Sequence, residues 1–139
     1  MGRILGVDLG ARRIGLAVSD PSGVIASPLS VVVRGSSPDA DRRAIVAAAA
    51  EVGADLVIVG LPKEMSGRHG PAAKAAVAEV VALRALEPAL TFELFDERLT
   101  TVIAQRSLVD AGMRRKQRKE TVDKVAAAVI LQSYLDARP

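Results

Sequence analysis

Short apolar runs separated by turn residues occupy the first 33 positions of the chain. The runs Ile4–Leu9, Ile14–Ser19 and Val24–Val33 are rich in aliphatic and β-branched residues, which is typical of strands. The connections are short, and Asp20-Pro21-Ser22-Gly23 has the residues that a tight turn favours. The pattern therefore predicts an antiparallel meander of three strands.

After Val33 the spacing of apolar residues changes to that of a helix. Ser37, Pro38 and Asp39 offer a cap, a first-turn proline and a favourable acid, and Gly53 is a typical stop. These signals predict a helix from about Pro38 to Val52. The later pattern predicts a strand Asp55–Gly60, a helix Ala72–Leu86, a strand Thr91–Glu97, a helix from Thr100 or Thr101 to Ala111, a basic loop Met113–Glu120 and a last helix Thr121–Ala137.

This order of elements predicts an α/β fold built on a mixed five-stranded sheet with helices on both faces. We expect residues 1–139 to form a single domain. If the first strand lies beside Asp55–Gly60, the first, fourth and fifth strands run parallel. Their carboxyl ends then meet at one edge, where ligands bind in sheets of this kind.

Composition excludes several classes of function. The chain has no cysteine, which rules out a disulfide framework, a cysteine zinc site and a thiol nucleophile. It has no apolar run of about 18–20 residues, so no membrane span is expected, and Asp8 interrupts the first apolar run, which argues against a signal peptide. We therefore expect a cytoplasmic protein without a membrane partner. The net charge of +3 is too small to indicate a nucleic-acid partner by itself.

Asp8 is an acid at the end of a strand that reads as buried. Desolvating a carboxylate is costly unless a cation compensates for it. One interpretation is a turn-capping residue paired with Arg12 or Arg13 in the turn that follows. The other is a metal ligand, and the sequence near Asp8 does not decide between them.

Three further acids fall at the same predicted edge. Asp96 and Glu97 end the fifth strand, and because successive side chains alternate between faces, only one of them should approach Asp8. Asp123 lies in the predicted first turn of the last helix. Each has a structural alternative, a local ion pair with Arg98 for the first two and a helix-start acid for Asp123. Together they predict a site for Mg²⁺ or Mn²⁺, since carboxylate oxygens suit these ions.

Cations are concentrated near these acids. Five of the six residues from Arg114 to Lys119 are basic, which is typical of solvated surface but also suits a phosphodiester substrate beside an acidic site. With 2% aromatic residues, base stacking cannot be the main contact, so recognition should depend on backbone and shape. His69 is expected on the surface. The predicted nucleic-acid-binding residues are Arg12, Arg13, Lys63, Arg98, Arg114, Arg115, Lys116, Arg118 and Lys119.

Four segments carry a family resemblance. GVDLGARRIGLAVSD at 6–20, VGLPKEMSG at 59–67, DERLTT at 96–101 and VDKVAAAVILQSYL at 122–135 resemble the YqgF (RuvX-like) family, small bacterial proteins related to Holliday junction resolvases. The resemblance covers essentially the whole chain. It implies an RNase H-like fold with strand order 3-2-1-4-5. It also implies a metal-dependent nuclease that matures the 5′ end of pre-16S ribosomal RNA, with Holliday junction resolution as a second activity.

The resemblance also implies site residues. It assigns the catalytic and metal-binding acids to Asp8, Glu97 and Asp123, and so favours Glu97 over Asp96. Related resolvases use four acids, whereas three are assigned here. Whether the site binds one metal ion or two is therefore left open. Structured RNA and branched DNA both remain candidate partners, acted on by a monomer or a homodimer. Two alternatives are a nucleotide-phosphate binder, since DLGARRIGLAVSD also resembles the first phosphate loop of actin- and hexokinase-type ATPases, and a non-catalytic RNA-binding module.

Overall fold

The computed structural model describes residues 2–35, 37–64, 66–99 and 115–138, with the side chains of 99 and 115–124 excepted. Its elements are β1 (Arg3–Leu9), β2 (Arg13–Ser19), β3 (Ala26–Val33), α1 (Pro38–Val52), β4 (Ala54–Leu61), α2 (Pro71–Leu86), β5 (Thr91–Asp96), a single 3₁₀ turn (Glu97–Leu99) and α3 (Arg115–Ala137). The predicted helix from Thr100 or Thr101 to Ala111 lies outside the described residues. No described helix has the length and apolar character that crossing a membrane requires.

The five strands form one sheet in the order β3-β2-β1-β4-β5, which confirms the predicted architecture. β1 pairs antiparallel with β2, and β2 antiparallel with β3. On its other side β1 pairs parallel with β4, and β4 parallel with β5. The carboxyl ends of β1, β4 and β5 therefore lie along the same edge, next to the turn that connects β1 to β2.

Alternating side chains divide the core between the two faces of this sheet. On one face Val7, Ile14 and Val59 pack with residues of α1 and α2. On the other, Ile58 and Ala17 pack with Ala126, Ala127, Ile130 and Leu131 of α3. The two faces thus carry different helices, and the parity of a residue along its strand determines which helices it meets.

β3 begins two residues later than predicted, at Ala26 rather than Val24. The carboxylate of Asp20 accepts hydrogen bonds from the backbone N–H groups of Val24 and Ile25, both at 2.8 Å. These bonds, that from Ile25 foremost, lower the pKa of Asp20. Because the two N–H groups serve the turn, they are not available to extend the sheet.

The ends of α1 agree with the local signals. The Ser37 hydroxyl accepts a hydrogen bond from the Ala40 N–H at 3.2 Å, Pro38 is the first helical residue, and Gly53 ends the helix with φ of 72°. A left-handed φ strongly favours glycine.

The predicted basic loop Met113–Glu120 was wrong for most of its length. α3 begins at Arg115, not Thr121, so Arg115, Lys116, Arg118 and Lys119 belong to a helix. Arg, Lys, Gln and Glu are good helix formers, and residues 115–120 contain neither glycine nor proline to stop a helix. The high density of positive charge in residues 115–120 therefore does not prevent them from being part of α3.

Candidate active site

Asp8 is the sixth of seven residues of β1, and its side chain lies on the face that α3 covers. It pairs with Gly15 of β2, and its neighbour Val7 pairs with Val59 of β4 and packs on the opposite face. Asp8 is 4% exposed, so the carboxylate is held in the interior at the end of a central strand.

The arginines after Asp8 do not give it the turn-cap pairing that the sequence left open. Among the ion pairs between described side chains, none joins Asp8 to Arg12 or Arg13. Arg12 is exposed and Arg13 is partly buried at the start of β2. No described ion pair therefore supports the local cap, and the metal-ligand interpretation of Asp8 stays a prediction.

Glu97, predicted to end the fifth strand, is instead the first residue of the 3₁₀ turn after β5, and its carboxylate lies on the same face of the sheet as Asp8. A Cβ built at Gly60 of β4 would lie 2.9 Å from Glu97 Oε2, which places this carboxylate directly against position 60. Since Val7 pairs with Val59, the next position along β4 is beside Asp8. Parallel strands are about 4.8 Å apart, so Asp8 and Glu97 occupy one neighbourhood.

Asp96 belongs to the opposite face, where Phe92 and Leu94 of the same strand pack with the α1 and α2 core. Its carboxylate accepts a 2.7 Å hydrogen bond from Arg98 Nη2 and lies 3.9 Å from Lys63 Nζ. The hydrogen bonds from Arg98 hold the pKa of Asp96 below its usual value. The geometry therefore gives Asp96 the local ion pair and puts Glu97 near Asp8.

Asp123 lies in α3, one helical turn before Ala127. The carbonyl oxygen of Ala127 would be 3.1 Å from a Cβ built at Gly6, which is the residue two before Asp8 on the same face of β1. Position 123 therefore shares the helical stripe that runs over this end of the sheet. Its side chain is outside the described set, so its predicted role as a ligand stays a prediction.

The donor chemistry of the described acids fits Mg²⁺ or Mn²⁺. Asp8 and Glu97 offer hard oxygen ligands on one face, and a buried carboxylate gains from a nearby cation. Two acids do not make a complete site, and no group of three possible ligands occurs among the described side chains. Asp123 is the residue that the sequence analysis predicts for the third position, and this stays a prediction.

The predicted nucleic-acid-binding cations differ in their surroundings. Lys63 and Arg98 are paired with Asp96, although their side chains remain 25% and 34% exposed. His69 is exposed, as expected. Arg114 lies outside the described residues, and Arg115, Lys116, Arg118 and Lys119 occupy the first two turns of α3 without described side chains.

Arg34 and Asp41 are two residues near the site that the sequence analysis missed. Arg34 Nε donates a 2.8 Å hydrogen bond to the carbonyl oxygen of Gly10, two residues after Asp8. Asp41, 5% exposed, lies 3.6 Å from Arg34 and accepts a hydrogen bond from the Gly35 N–H. This brace ties the turn after Asp8 to the start of α1. The sequence pattern identified Asp39 as the favourable acid of the first helical turn and gave no role to Asp41, so no sequence signal identified the brace.

The variant Gly60→Ala tests whether cleavage depends on the observed position of the Glu97 carboxylate. The added Cβ would lie 2.9 Å from Glu97 Oε2 and 2.8 Å from Ile130 Cδ1, so the ends of both side chains must shift. We expect cleavage to fall about tenfold to a hundredfold, because small displacements in a site cost about that much. Overpacking should also lower the free energy of unfolding by about 1–3 kcal/mol. Cleavage kinetics and urea denaturation measure the two effects.

The matched control is Gly35→Ala, where the added Cβ would make only an ordinary 3.7 Å contact with Asp41. It should retain cleavage. Wild-type kinetics for Gly60→Ala would contradict the inference that the position of Glu97 matters.

The sequence matches a known protein family and several named relatives. A family model described as RuvX, Holliday junction resolvase, matches residues 2–137. A protein of Mycobacterium tuberculosis (strain CDC 1551 / Oshkosh), provisionally named a pre-16S rRNA nuclease, is 47% identical over 137 residues, which cover 99% of this chain and 80% of that protein. A relative from Mycobacterium sp. (strain KMS) with the same provisional name is 45% identical, with 99% and 81% covered.

Two solved structures share the fold at low sequence identity. RuvC of T. thermophilus in complex with a Holliday junction substrate has a TM-score of 0.60 and 17% identity, covering 99% of this chain and 96% of that one. The fowlpox virus Holliday junction resolvase has a TM-score of 0.55 and 13% identity, with 97% and 98% covered. These neighbours confirm the predicted RNase H-like fold.

Proposed function

Since the chain belongs to the RuvX family of Holliday junction resolvases, we propose that it is a metal-dependent endonuclease that processes the 5′ end of pre-16S rRNA in the cytoplasm. The observation that carries the proposal is the placement of Asp8 and Glu97 together at the carboxyl edge of the sheet, on the face under α3. The provisional name of the mycobacterial relatives supports RNA as the substrate.

Asp8, Glu97 and Asp123 would hold Mg²⁺ or Mn²⁺. Divalent ions supply positive charge that stabilises the attacking and leaving oxygens of a phosphodiester during hydrolysis. The protein's own contribution is to fix the acids on rigid elements. Asp8 is held within a central strand between β2 and β4, and the Arg34–Asp41 brace fixes the turn that follows it.

The basic residues would bind the strand to be cut. The start of α3 carries Arg115, Lys116, Arg118 and Lys119, on the helix that also carries Asp123. Cations so placed neutralise the phosphates that carboxylates would repel. The near absence of aromatic residues favours recognition of backbone and shape over base stacking.

Holliday junction resolution is the second candidate, favoured by the description of the family model. A four-way junction requires two coordinated cuts, so this activity favours a homodimer, whereas trimming an RNA end needs only a monomer. We therefore expect a homodimer if the junction is the substrate, whereas RNA trimming is compatible with a monomer.

Side-by-side cleavage assays test the proposal. A pre-16S rRNA fragment with its 5′ extension and a synthetic four-way DNA junction are incubated with the protein in Mg²⁺, in Mn²⁺ and in EDTA. We expect metal-dependent cuts at defined positions in the RNA and slower or no cleavage of the junction. Faster cleavage of the junction, with a dimer in solution, would establish the second candidate instead.

Two other outcomes would contradict the proposed nuclease activity. ATP binding by calorimetry without cleavage of either substrate would favour a nucleotide-phosphate binder. RNA binding without cleavage that survives replacement of all three acids would favour a non-catalytic RNA-binding module.

A further inference from the structure

Arg13 carries a polar atom that the fold itself does not explain. Its Nε is buried and has no hydrogen-bond partner, and it is the one such side-chain nitrogen or oxygen among the residues that the structure describes. A buried donor without an acceptor is destabilising, and native proteins keep few of them. An unsatisfied buried group in a native protein therefore calls for an explanation, and a role at a functional site is one.

The position of Arg13 relates this atom to the candidate active site. Arg13 begins β2, in which Gly15 pairs with Asp8. Ile14 packs with the α1 and α2 core, whereas Ala17 packs against α3. Arg13 and Gly15 have the parity of Ala17, so Arg13 lies on the same face as Asp8 and one pleat nearer the carboxyl edge.

Other cations at this edge have partners or water. Arg98 and Lys63 interact with Asp96, and Arg34 with Gly10 and Asp41. Arg12 is exposed, so solvent can satisfy its guanidinium. Arg13 combines partial burial, an unsatisfied donor and proximity to the acids.

We propose that Arg13 binds the phosphate of the nucleic acid that lies next to Asp8, an inference that rests on the proposed function. A guanidinium presents several N–H donors in one plane, which suits two oxygens of a phosphodiester. On binding, the side chain turns towards the phosphate, and Nε gains the acceptor that it lacks in the free protein. The unsatisfied Nε thus lowers the stability of the free protein, and its bond to the phosphate raises the affinity for nucleic acid.

Arg13→Met separates this role from a structural one. Methionine keeps an apolar stem and removes the unsatisfied donor. We expect about tenfold weaker binding of the RNA and the junction, a salt dependence of log K that is shallower by about one phosphate contact, and an unchanged or higher Tm of the free protein. Binding is measured by fluorescence anisotropy in EDTA at several salt concentrations, so no cleavage is needed. Thermal denaturation gives the Tm.

Two further variants complete the test. Arg3→Met removes the same charge at the opposite edge of the sheet, where Arg3 is exposed, and should leave the salt dependence unchanged. Arg13→Lys keeps the charge without the planar donors and should bind with intermediate affinity. Unchanged affinity of Arg13→Met, or a lower Tm with or without weaker binding, would overturn the proposal.

The result is distinguishable from failure of the proposed function. Wild-type protein that binds both nucleic acids but cuts neither would refute the nuclease and leave the role of Arg13 testable by the same titration. Wild-type protein that binds neither would overturn the role of Arg13.

Discussion

Asp8→Asn is expected to reduce cleavage of the preferred substrate at least about a thousandfold, which corresponds to about 4 kcal/mol of lost transition-state stabilisation. Asparagine keeps the shape of aspartate but removes the negative charge that a divalent ion needs. Asp8 is 4% exposed, and a neutral amide is less costly to bury than a carboxylate. The variant should stay folded without metal, because asparagine occupies nearly the same volume as aspartate. Single-turnover cleavage with excess protein and thermal denaturation in EDTA measure both effects.

Asp39→Asn is the control for this change. Asp39 is an exposed acid in the first turn of α1 and pairs with Arg43 at 2.8 Å, on a helix that packs against the face of the sheet opposite Asp8. The same substitution there should leave cleavage within about twofold, since exposed ion pairs contribute little. Full metal-dependent cleavage by Asp8→Asn would refute the candidate site.

Glu97→Gln and Asp96→Asn are expected to have very different effects although the residues are adjacent. Glu97 lies against Gly60 on the face of Asp8, so Glu97→Gln should reduce cleavage about a hundredfold or more. Asp96 lies on the other face and pairs with Arg98, so Asp96→Asn should change cleavage less than about threefold. Since both partners are partly exposed, losing this pair should cost about 1 kcal/mol or less in stability. Cleavage rates and urea denaturation of the two variants provide the comparison.

Comparing the Glu97→Gln and Asp96→Asn variants also shows whether acids from one face or from both faces of the sheet contribute to cleavage. If Asp96→Asn were as damaging as Glu97→Gln, the acids of both faces would contribute, and the division by strand parity would not describe the site. If Asp96→Asn alone abolished cleavage, the assignment of Glu97 would be wrong.

Some parts of the fold could be predicted because their causes are local. Ser37, Pro38 and Gly53 determine the ends of α1 through caps and a left-handed φ, and all three signals lie within or next to the helix. Similarly, short turns make an antiparallel meander the simplest arrangement of the first three strands. These effects require no knowledge of distant residues.

The errors have causes that the local pattern does not contain. Val24 and Ile25 have strand-like side chains, but the carboxylate of Asp20 takes their N–H groups, so β3 begins later. The start of α3 was placed too late because a run of cations was treated as a loop, although charge density by itself does not stop a helix.

By itself the sequence determined the fold class, the topology and a short set of candidate acids, because hydrophobic period, turn residues and family motifs are written along the chain. The family motifs already favoured Glu97 over Asp96, and the tertiary structure added the contacts that separate the two residues. Pairing across the sheet puts Glu97 beside Asp8 and leaves Asp96 with Arg98 on the other face. It also gives Arg34 a partner in Gly10 and leaves Arg13 Nε buried without one. Apart from the local Asp96–Arg98 pair, these distinctions depend on contacts between residues that are distant in sequence, which no local pattern records.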